Sequence, residues 1–212
     1  MMKVCEIFLS IQGESTYAGL PCVFIRMAGC NLRCVYCDTA YAYEEGTEMS
    51  VEDVVREACS YGIGLAEITG GEPLQQREAL LLAKRLLDSG LTVLIETNGS
   101  ISISDVDRRA IIIMDIKTPG SGMPGSLKIE NLKLLKPDDE LKFVIADRSD
   151  YEWSRDFIKE HDLPDICTIL MSSVFGSLPP AELAGWILED RLKVRFNLQL
   201  HKYIYGPEER GV

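Results

Sequence analysis

The run Ile111-Ile112-Ile113-Met114-Asp115-Ile116 limits the possible folds more than any other stretch of the chain. A strand with that many apolar residues in succession must be covered on both faces, as strands of parallel sheets are. Cys22-Val23-Phe24-Ile25-Arg26-Met27 is a second apolar run of strand length. Further strands are predicted at 4–9, 65–68, 92–96, 141–146, 167–171 and 194–198. Between them lie helical patterns at 51–60, 77–89, 129–135, 151–161 and 180–190, with a short helical turn at 105–109. Ser50-Val51-Glu52-Asp53 opens the first helix as a capping box, and Val51, Val54, Val55 and Ala58 mark one face. Leu80, Leu81, Ala83, Lys84 and Leu87 give the second helix its period, and Gly90 stops it. Segments 10–16 and 69–73 read as loop and turn. Apolar strands alternating with amphipathic helices define an α/β protein built of parallel βαβ units. Six strands between residues 22 and 171 fall short of a full eight-stranded barrel. The expected architecture is therefore an open, partial β/α barrel of about six parallel strands with short N- and C-terminal additions. A length of 212 residues is read as one domain.

The most concentrated chemistry lies just after the strand at 22–27, in Cys30-Asn31-Leu32-Arg33-Cys34-Val35-Tyr36-Cys37-Asp38-Thr39. Three thiols at C-x3-C-x2-C spacing converge on a soft metal centre. Tetrahedral zinc and a four-iron cluster both take four ligands, and this loop offers three. Cys5, Cys22, Cys59 and Cys167 are scattered singly. A metal held by three ligands keeps a position open, which separates catalytic from structural sites. Half of a zinc site, or unrelated core thiols, are the blander readings. Ala28 and Gly29 let the backbone turn tightly into the loop.

This spacing, with Tyr36 before the last cysteine, resembles the radical S-adenosylmethionine (SAM) superfamily. The resemblance implies a [4Fe-4S] cluster on Cys30, Cys34 and Cys37 whose open iron is chelated by SAM. It extends to the ends of the parallel strands, where functional loops of such sheets lie. Gly70-Gly71-Glu72-Pro73 matches the family's GGE motif, with Gly71 and Glu72 toward the SAM amine. Glu96, at the start of Glu96-Thr97-Asn98-Gly99, matches a polar cluster facing SAM. Asp115, Ile116 and Lys117 match contacts to its ribose and carboxylate. Ser172 and Ser173 stand where the adenine is met, with Ser173 at a position expected to be Pro.

A narrower resemblance covers the whole chain. Phe8-Leu9-Ser10-Ile11-Gln12-Gly13-Glu14, Phe24-Ile25-Arg26, Cys37-Asp38-Thr39 and Asn197-Leu198-Gln199-Leu200-His201-Lys202 closely resemble the 7-carboxy-7-deazaguanine synthases. That family contracts the ring of 6-carboxy-5,6,7,8-tetrahydropterin to 7-carboxy-7-deazaguanine on the route to queuosine, acting as a carbon–nitrogen lyase. Implied by the resemblance are Ile11, Gln12, Gly13 and Glu14 at the pterin, and Arg26 on the substrate carboxylate. So are Thr69 and His201 at the substrate, and Thr39 as a ligand of Mg²⁺. Implied too are hydrogen abstraction from C6, rearrangement, return of the hydrogen to regenerate SAM, and loss of ammonia. No general acid or base is assigned. Bland roles compete: an ion pair for Arg26, a turn cap for Thr39, a surface position for His201. In some members the terminal carboxylate contributes to substrate binding. Here the chain runs on from Tyr203 to Val212, which puts that role in doubt.

Two other functions fit parts of the pattern. A glycyl-radical activating enzyme uses the same cysteine spacing on a large protein substrate, and a non-catalytic metal-binding module needs only the thiols. The Gln12-Gly13-Glu14 loop with Arg26 and Thr39 favours the small pterin. A formal net charge of −11 argues against nucleic acid, while Arg26, Arg33, Lys117 and Lys202 form a local basic patch if the fold gathers them. The opening Met1-Met2-Lys3-Val4-Cys5-Glu6 has no signal-peptide pattern, and no apolar run spans a membrane. A reducing cytoplasmic setting with free thiols is expected. By resemblance the partners are a flavodoxin- or ferredoxin-type reductase and a second copy in a homodimer.

Overall fold

The computed structural model describes residues 1–207 and 209–212. In chain order its strands are β1 (Met2–Ile11), β2 (Pro21–Met27), β3 (Thr47–Met49), β4 (Leu65–Gly70), β5 (Thr92–Thr97), β6 (Ile111–Ile116), β7 (Glu140–Ile145), β8 (Thr168–Ser173) and β9 (Arg195–Phe196). The α-helices are α1 (Val51–Ser60), α2 (Glu78–Asp88), α3 (Arg148–Glu160), α4 (Pro180–Glu189) and α5 (Leu200–Ile204). The described strands form one open sheet in the order β3-β1-β2-β4-β5-β6-β7-β8-β9. Strands β2 and β4 to β8 are the six parallel strands expected, and β9 adds a short parallel edge. β1 pairs antiparallel with both β2 and β3.

Strand register explains why the apolar runs are continuous. Ile25, Ile68, Ile95 and Ile112 are neighbours across four strands, and all four belong to the main core under the helices. On the other face Phe24, Glu67, Leu94 and Ile111 form the adjacent row. Cys22, Leu65, Leu94, Ile111 and Ile113 make a second, smaller apolar cluster on that face. Side chains alternate along a strand, so both faces of the sheet are packed. The face with the smaller cluster also carries buried charges within the strands, Glu67 in β4 and Lys142 in β7.

Ser50 caps α1 as predicted, its hydroxyl accepting from Asp53 N at 3.1 Å, and Val51, Val54 and Ala58 are buried. In α2 the buried stripe is Ala79, Leu82, Ala83 and Leu86, and Leu81 is 45% exposed. Leucines at 80–82 and 86–87 mark no single face, so packing against α1 and the sheet chose it.

Other boundaries moved for reasons of pairing. Ser10 and Ile11 remain in β1 because they pair with Cys22 and Pro21. Thr69 and Gly70 remain in β4 opposite Arg26 and Met27. Residues 105–109 form turns, and the helix predicted at 129–135 is a 3-10 stretch, Ile129–Lys133. β3 was not predicted. The strand expected at 194–198 shrinks to Arg195–Phe196, and the following segment becomes α5 because Leu200 N donates to Gly13 O (2.9 Å) rather than to a strand. Among the described residues no helix is long and apolar enough to cross a membrane.

Candidate functional site

β2 delivers the chain to Gly29, whose φ of +89° lies in the left-handed region that glycine adopts without steric cost. The cysteine loop starts there. Its base is stitched to the turn after β4: Gly71 N donates to Met27 O (3.1 Å) and Glu72 N to Gly29 O (2.8 Å). A Cβ on Gly71 would lie 1.9 Å from Gly29 O and 2.9 Å from Cys30 Cβ. Glycine at 71 is thus required by the close approach of two backbones, before any ligand is considered.

Cys30, Cys34 and Cys37 all face a cavity of about 580 Å³ at the carboxyl ends of the parallel strands. Burial raises the Cys30 and Cys34 thiols from their ordinary value. Among the described residues no three His, Cys, Asp or Glu side chains converge tightly enough to grip a single ion. All three thiols line the same cavity, where each could take a different iron of a cluster. Asn98 Nδ2 reaches Asn31 Oδ1 (3.1 Å) and lies 3.9 Å from Cys30 Sγ.

The inner face of the sheet supplies a chain of charges. Lys142 on β7 pairs with Glu96 of β5 and with Glu14 Oε2 (2.8 Å), and lies 3.8 Å from Asp115 Oδ2. Lys117 Nζ pairs with Asp115 Oδ2 at 2.8 Å, and Thr69 donates to Glu96 at 2.8 Å. Although burial works against its charged form, Lys142 together with the Thr69 hydrogen bond holds Glu96 down to about 2. Asp115 Oδ1 is buried and has no partner, which leaves an acceptor for a ligand hydroxyl. Together with three thiols in the same cavity, that orphan acceptor fits a cluster and a ribose-bearing cofactor.

Residues 11–14 also line the cavity. Gln12 donates to Glu67 of β4 and accepts from Glu14 N (2.8 Å), while Gln199 Nε2 donates to Glu14 Oε1 (2.9 Å). Gly13 leaves room for His201: a Cβ there would sit 2.2 Å from its Nδ1. Burial holds the His201 imidazole below its ordinary value, against the pull of Glu14 and Asp38. So the C-terminal segment reaches the cavity, as a helix rather than a strand. Pro207 and Val212 also line the cavity.

Several expected residues take other positions. The Glu72 carboxylate is fully buried and accepts from Leu74 N (3.0 Å), Thr97 Oγ1 (2.9 Å) and Asn98 N (2.7 Å). It fastens the turn after β4 to the end of β5 and does not line the cavity. The Ile116 side chain packs in the main core. Ser172 and Ser173 are buried off the cavity wall, which is formed there by Val174, Phe175 and Ser177. Of the basic patch, Arg26, Lys117 and Lys202 line the cavity, while Arg33 lies outside its wall, bonded to Cys30 O and Leu32 O (both 2.8 Å) over the Tyr43 ring. Arg26 combines both readings: its Nε pairs with Glu6 (2.7 Å), and its terminal nitrogens take no partner among the described residues. The Thr39 hydroxyl caps nothing and lies 3.8 Å from Cys37 Sγ.

Lys142 and Glu67 were missed. Their signal was present: each is a lone charge inside an apolar strand, in Leu65-Ala66-Glu67-Ile68 and Leu141-Lys142-Phe143-Val144. Burial, with Glu96 and Glu14 nearby, pushes Glu67 well above its ordinary 4.5, and Lys142 and Arg26 offset this only in part. The folded carboxyl therefore binds its proton more tightly than the unfolded one. Its stabilising contribution is complete below 4.5 and is lost as pH rises through the folded value. Glu67→Gln is expected to melt higher than the parent at pH 8, with the gap closing toward pH 4.5. Thermal unfolding across that range checks it, and a gap independent of pH would contradict it.

Residues 24–172 match the family model of the radical SAM superfamily. A 7-carboxy-7-deazaguanine synthase of Koribacter versatilis (strain Ellin345) is 44% identical over the whole of both chains. One of Chlorobaculum tepidum is 44% identical over all of this chain and 97% of its own. In fold, the chain resembles the crystal structure of QueE from Escherichia coli, with a TM-score of 0.80 over 94% of each chain at 20% identity. With the cysteine loop, the parallel strand ends and the full-length matches in agreement, the chain belongs to the radical SAM superfamily and, within it, to the 7-carboxy-7-deazaguanine synthase family.

Proposed function

We propose that this radical SAM enzyme converts 6-carboxy-5,6,7,8-tetrahydropterin to 7-carboxy-7-deazaguanine with loss of ammonia, in the 7-deazapurine route to queuosine. The observation that carries the reading is a single cavity lined both by the three thiols and Gly71 and by residues 11–14, Arg26, Thr69 and His201. Two ligands meeting in one enclosed space need such a lining. The name borne by relatives aligned along the full chain selects the chemistry.

Cys30, Cys34 and Cys37 would hold the cluster, and Gly71, Glu96, Asp115 and Lys117 would hold SAM. When bound, the reduced cluster and SAM supply the one-electron chemistry that removes a hydrogen atom from a substrate carbon. The chain's own residues bind and orient. Arg26 offers its free terminal nitrogens to the substrate carboxylate, a planar fork matched to a planar acceptor. The rings of Phe8 and Phe24, stacked 5.2 Å apart, form an apolar wall beside it. Lys142 neutralises Glu14 and Glu96. Thr39, uncommitted as a cap, would give its hydroxyl to Mg²⁺, a hard cation that prefers oxygen and retains waters.

Gln199, His201, Lys202, Pro207 and Val212 of the C-terminal segment line the cavity, which favours a small substrate over the protein partner of a glycyl-radical activating enzyme. Val35, 80% exposed at the tip of the cysteine loop, with Arg33 beside it, supports docking of a flavodoxin- or ferredoxin-type reductase there. A homodimeric, single-domain enzyme of the reducing cytoplasm completes the reading. Anaerobically reconstituted protein, given carboxytetrahydropterin, SAM, Mg²⁺ and reductant, should form a 7-deazapurine carboxylate detectable by mass spectrometry. A full complement of iron and sulfide without that product would overturn the proposal. Zinc in place of iron would return the chain to a structural metal module.

A further inference from the structure

Five carboxylates line the cavity: Glu14, Asp38, Glu67, Glu96 and Asp115. Four are matched to lysines, Glu14 and Glu96 to Lys142, Asp38 to Lys202 and Asp115 to Lys117. Glu67 alone, among the described residues, has no cationic partner. Its one side-chain hydrogen bond comes from Gln12 Nε2 to Oε2, and Oε1 accepts nothing. It lies on the cavity floor, 3% exposed, in register with Phe24 on one side and Leu94 on the other. Phe24 and Ile113 are apolar residues of the same lining. A buried acceptor without a cation requires donors, and apolar surface around it suits a flat ring that carries them.

We infer that Glu67 reads the 2-amino-4-oxopyrimidine edge of the substrate, accepting from the ring N3–H and the exocyclic amine. This inference rests on the pterin reading above. Two parallel N–H groups match the two oxygens of one carboxylate, as they do in guanidinium–carboxylate pairs. Gln12 fixes the orientation of the carboxylate by occupying Oε2, which retains capacity for a second donor. Glu67 is thus a specificity residue, selecting the amino-oxo edge over a dioxo one. Its raised proton affinity agrees, since ligand donors would supply the stabilisation that no protein cation gives.

The test uses two unreactive probes with the same ring system and carboxylate: 6-carboxypterin (2-amino-4-oxo) and 6-carboxylumazine (2,4-dioxo). Each is titrated anaerobically into reconstituted holoenzyme with SAM present. The parent should prefer the pterin. Glu67→Gln presents an amide N–H₂ where an acceptor stood, so it should bind carboxypterin about 10- to 100-fold more weakly. Its preference should shift toward the lumazine, whose C2 carbonyl can accept from that amide. Glu67→Asp, which keeps both acceptors, should preserve the parent's ranking. SAM affinity and cluster absorbance should not change in either variant. Parent-like affinities for both probes in Glu67→Gln would overturn the inference while leaving the pterin reading intact. A parent that binds neither probe would overturn both.

Discussion

Gly71→Ala is expected to abolish cluster assembly while most of the sheet still folds. The added methyl would sit 1.9 Å from Gly29 O and 2.9 Å from Cys30 Cβ. Neither obstacle is the end of a flexible side chain, so no rotamer change relieves the contact. Gly29 O also accepts from Glu72 N, and moving it breaks one of the bonds that seat the cysteine loop. Overpacking of this kind costs about 1–3 kcal/mol, and more where backbone must shift. The catalytic loss should be larger than the stability loss suggests. A displacement of the cysteine loop by about an ångström would lower turnover by about 100-fold or more even where some cluster forms. Iron and sulfide content after reconstitution, visible absorbance and product formation check this together. A variant with the parent's iron content and turnover would show that the two backbones can separate without consequence.

Lys142→Met is expected to produce the second large effect. Lys142 is almost wholly buried, and its ammonium serves Glu14 and Glu96 directly and Asp115 at 3.8 Å. Methionine preserves much of the side chain's bulk but leaves three clustered carboxylates without their shared cation. Removing one partner of a buried ion pair costs about 3–5 kcal/mol. The pH dependence identifies the cause. In the parent, Glu96 is held at about 2 against an ordinary 4.5, so its stabilising contribution is complete above 4.5 and is lost as pH falls through about 2. Without Lys142, burial is opposed only by the Thr69 hydrogen bond and the more distant Lys117, and the Glu96 carboxyl should titrate above its ordinary value. Stability of the variant should then fall as pH rises through that range while the parent's stays level. The difference in melting temperature should be wider at pH 8 than at pH 5, and a constant difference would assign the loss to packing alone. Because Glu14 belongs to the proposed pterin site and Glu96 and Asp115 to the proposed SAM site, and all three approach Lys142, affinity for pterin and for SAM should both weaken. Lys142→Arg should recover part of each.

The α/β class, the count of six parallel strands and the position of the cysteine loop were all legible in the sequence. Each is written in short-range signals: uninterrupted apolar runs, capped amphipathic segments, and thiols four and three residues apart. The motif after β4 was equally legible, but its use was only half so. Gly71 is needed for close backbone approach, as expected of glycine, yet the surface it approaches is the cysteine loop itself. Glu72 carries the charge in the motif and spends it on three hydrogen bonds, one from Leu74 N in its own turn and two from Thr97 and Asn98 at the end of β5, because its side chain turns inward between two loops.

What the sequence by itself determined is therefore the local chemistry: which residues form strands, roughly where they end, and which loop carries the three closely spaced thiols. The tertiary structure alone decided which distant charges meet. Glu14, Glu96, Asp115 and Lys142 lie on four separate elements, and strand order and register bring them into one ion-pair network. The same register sets Glu67 between Phe24 and Leu94 and leaves it without a cation. Periodicity along one strand says which face a side chain takes, while its neighbours on that face depend on which strands lie alongside and at what offset.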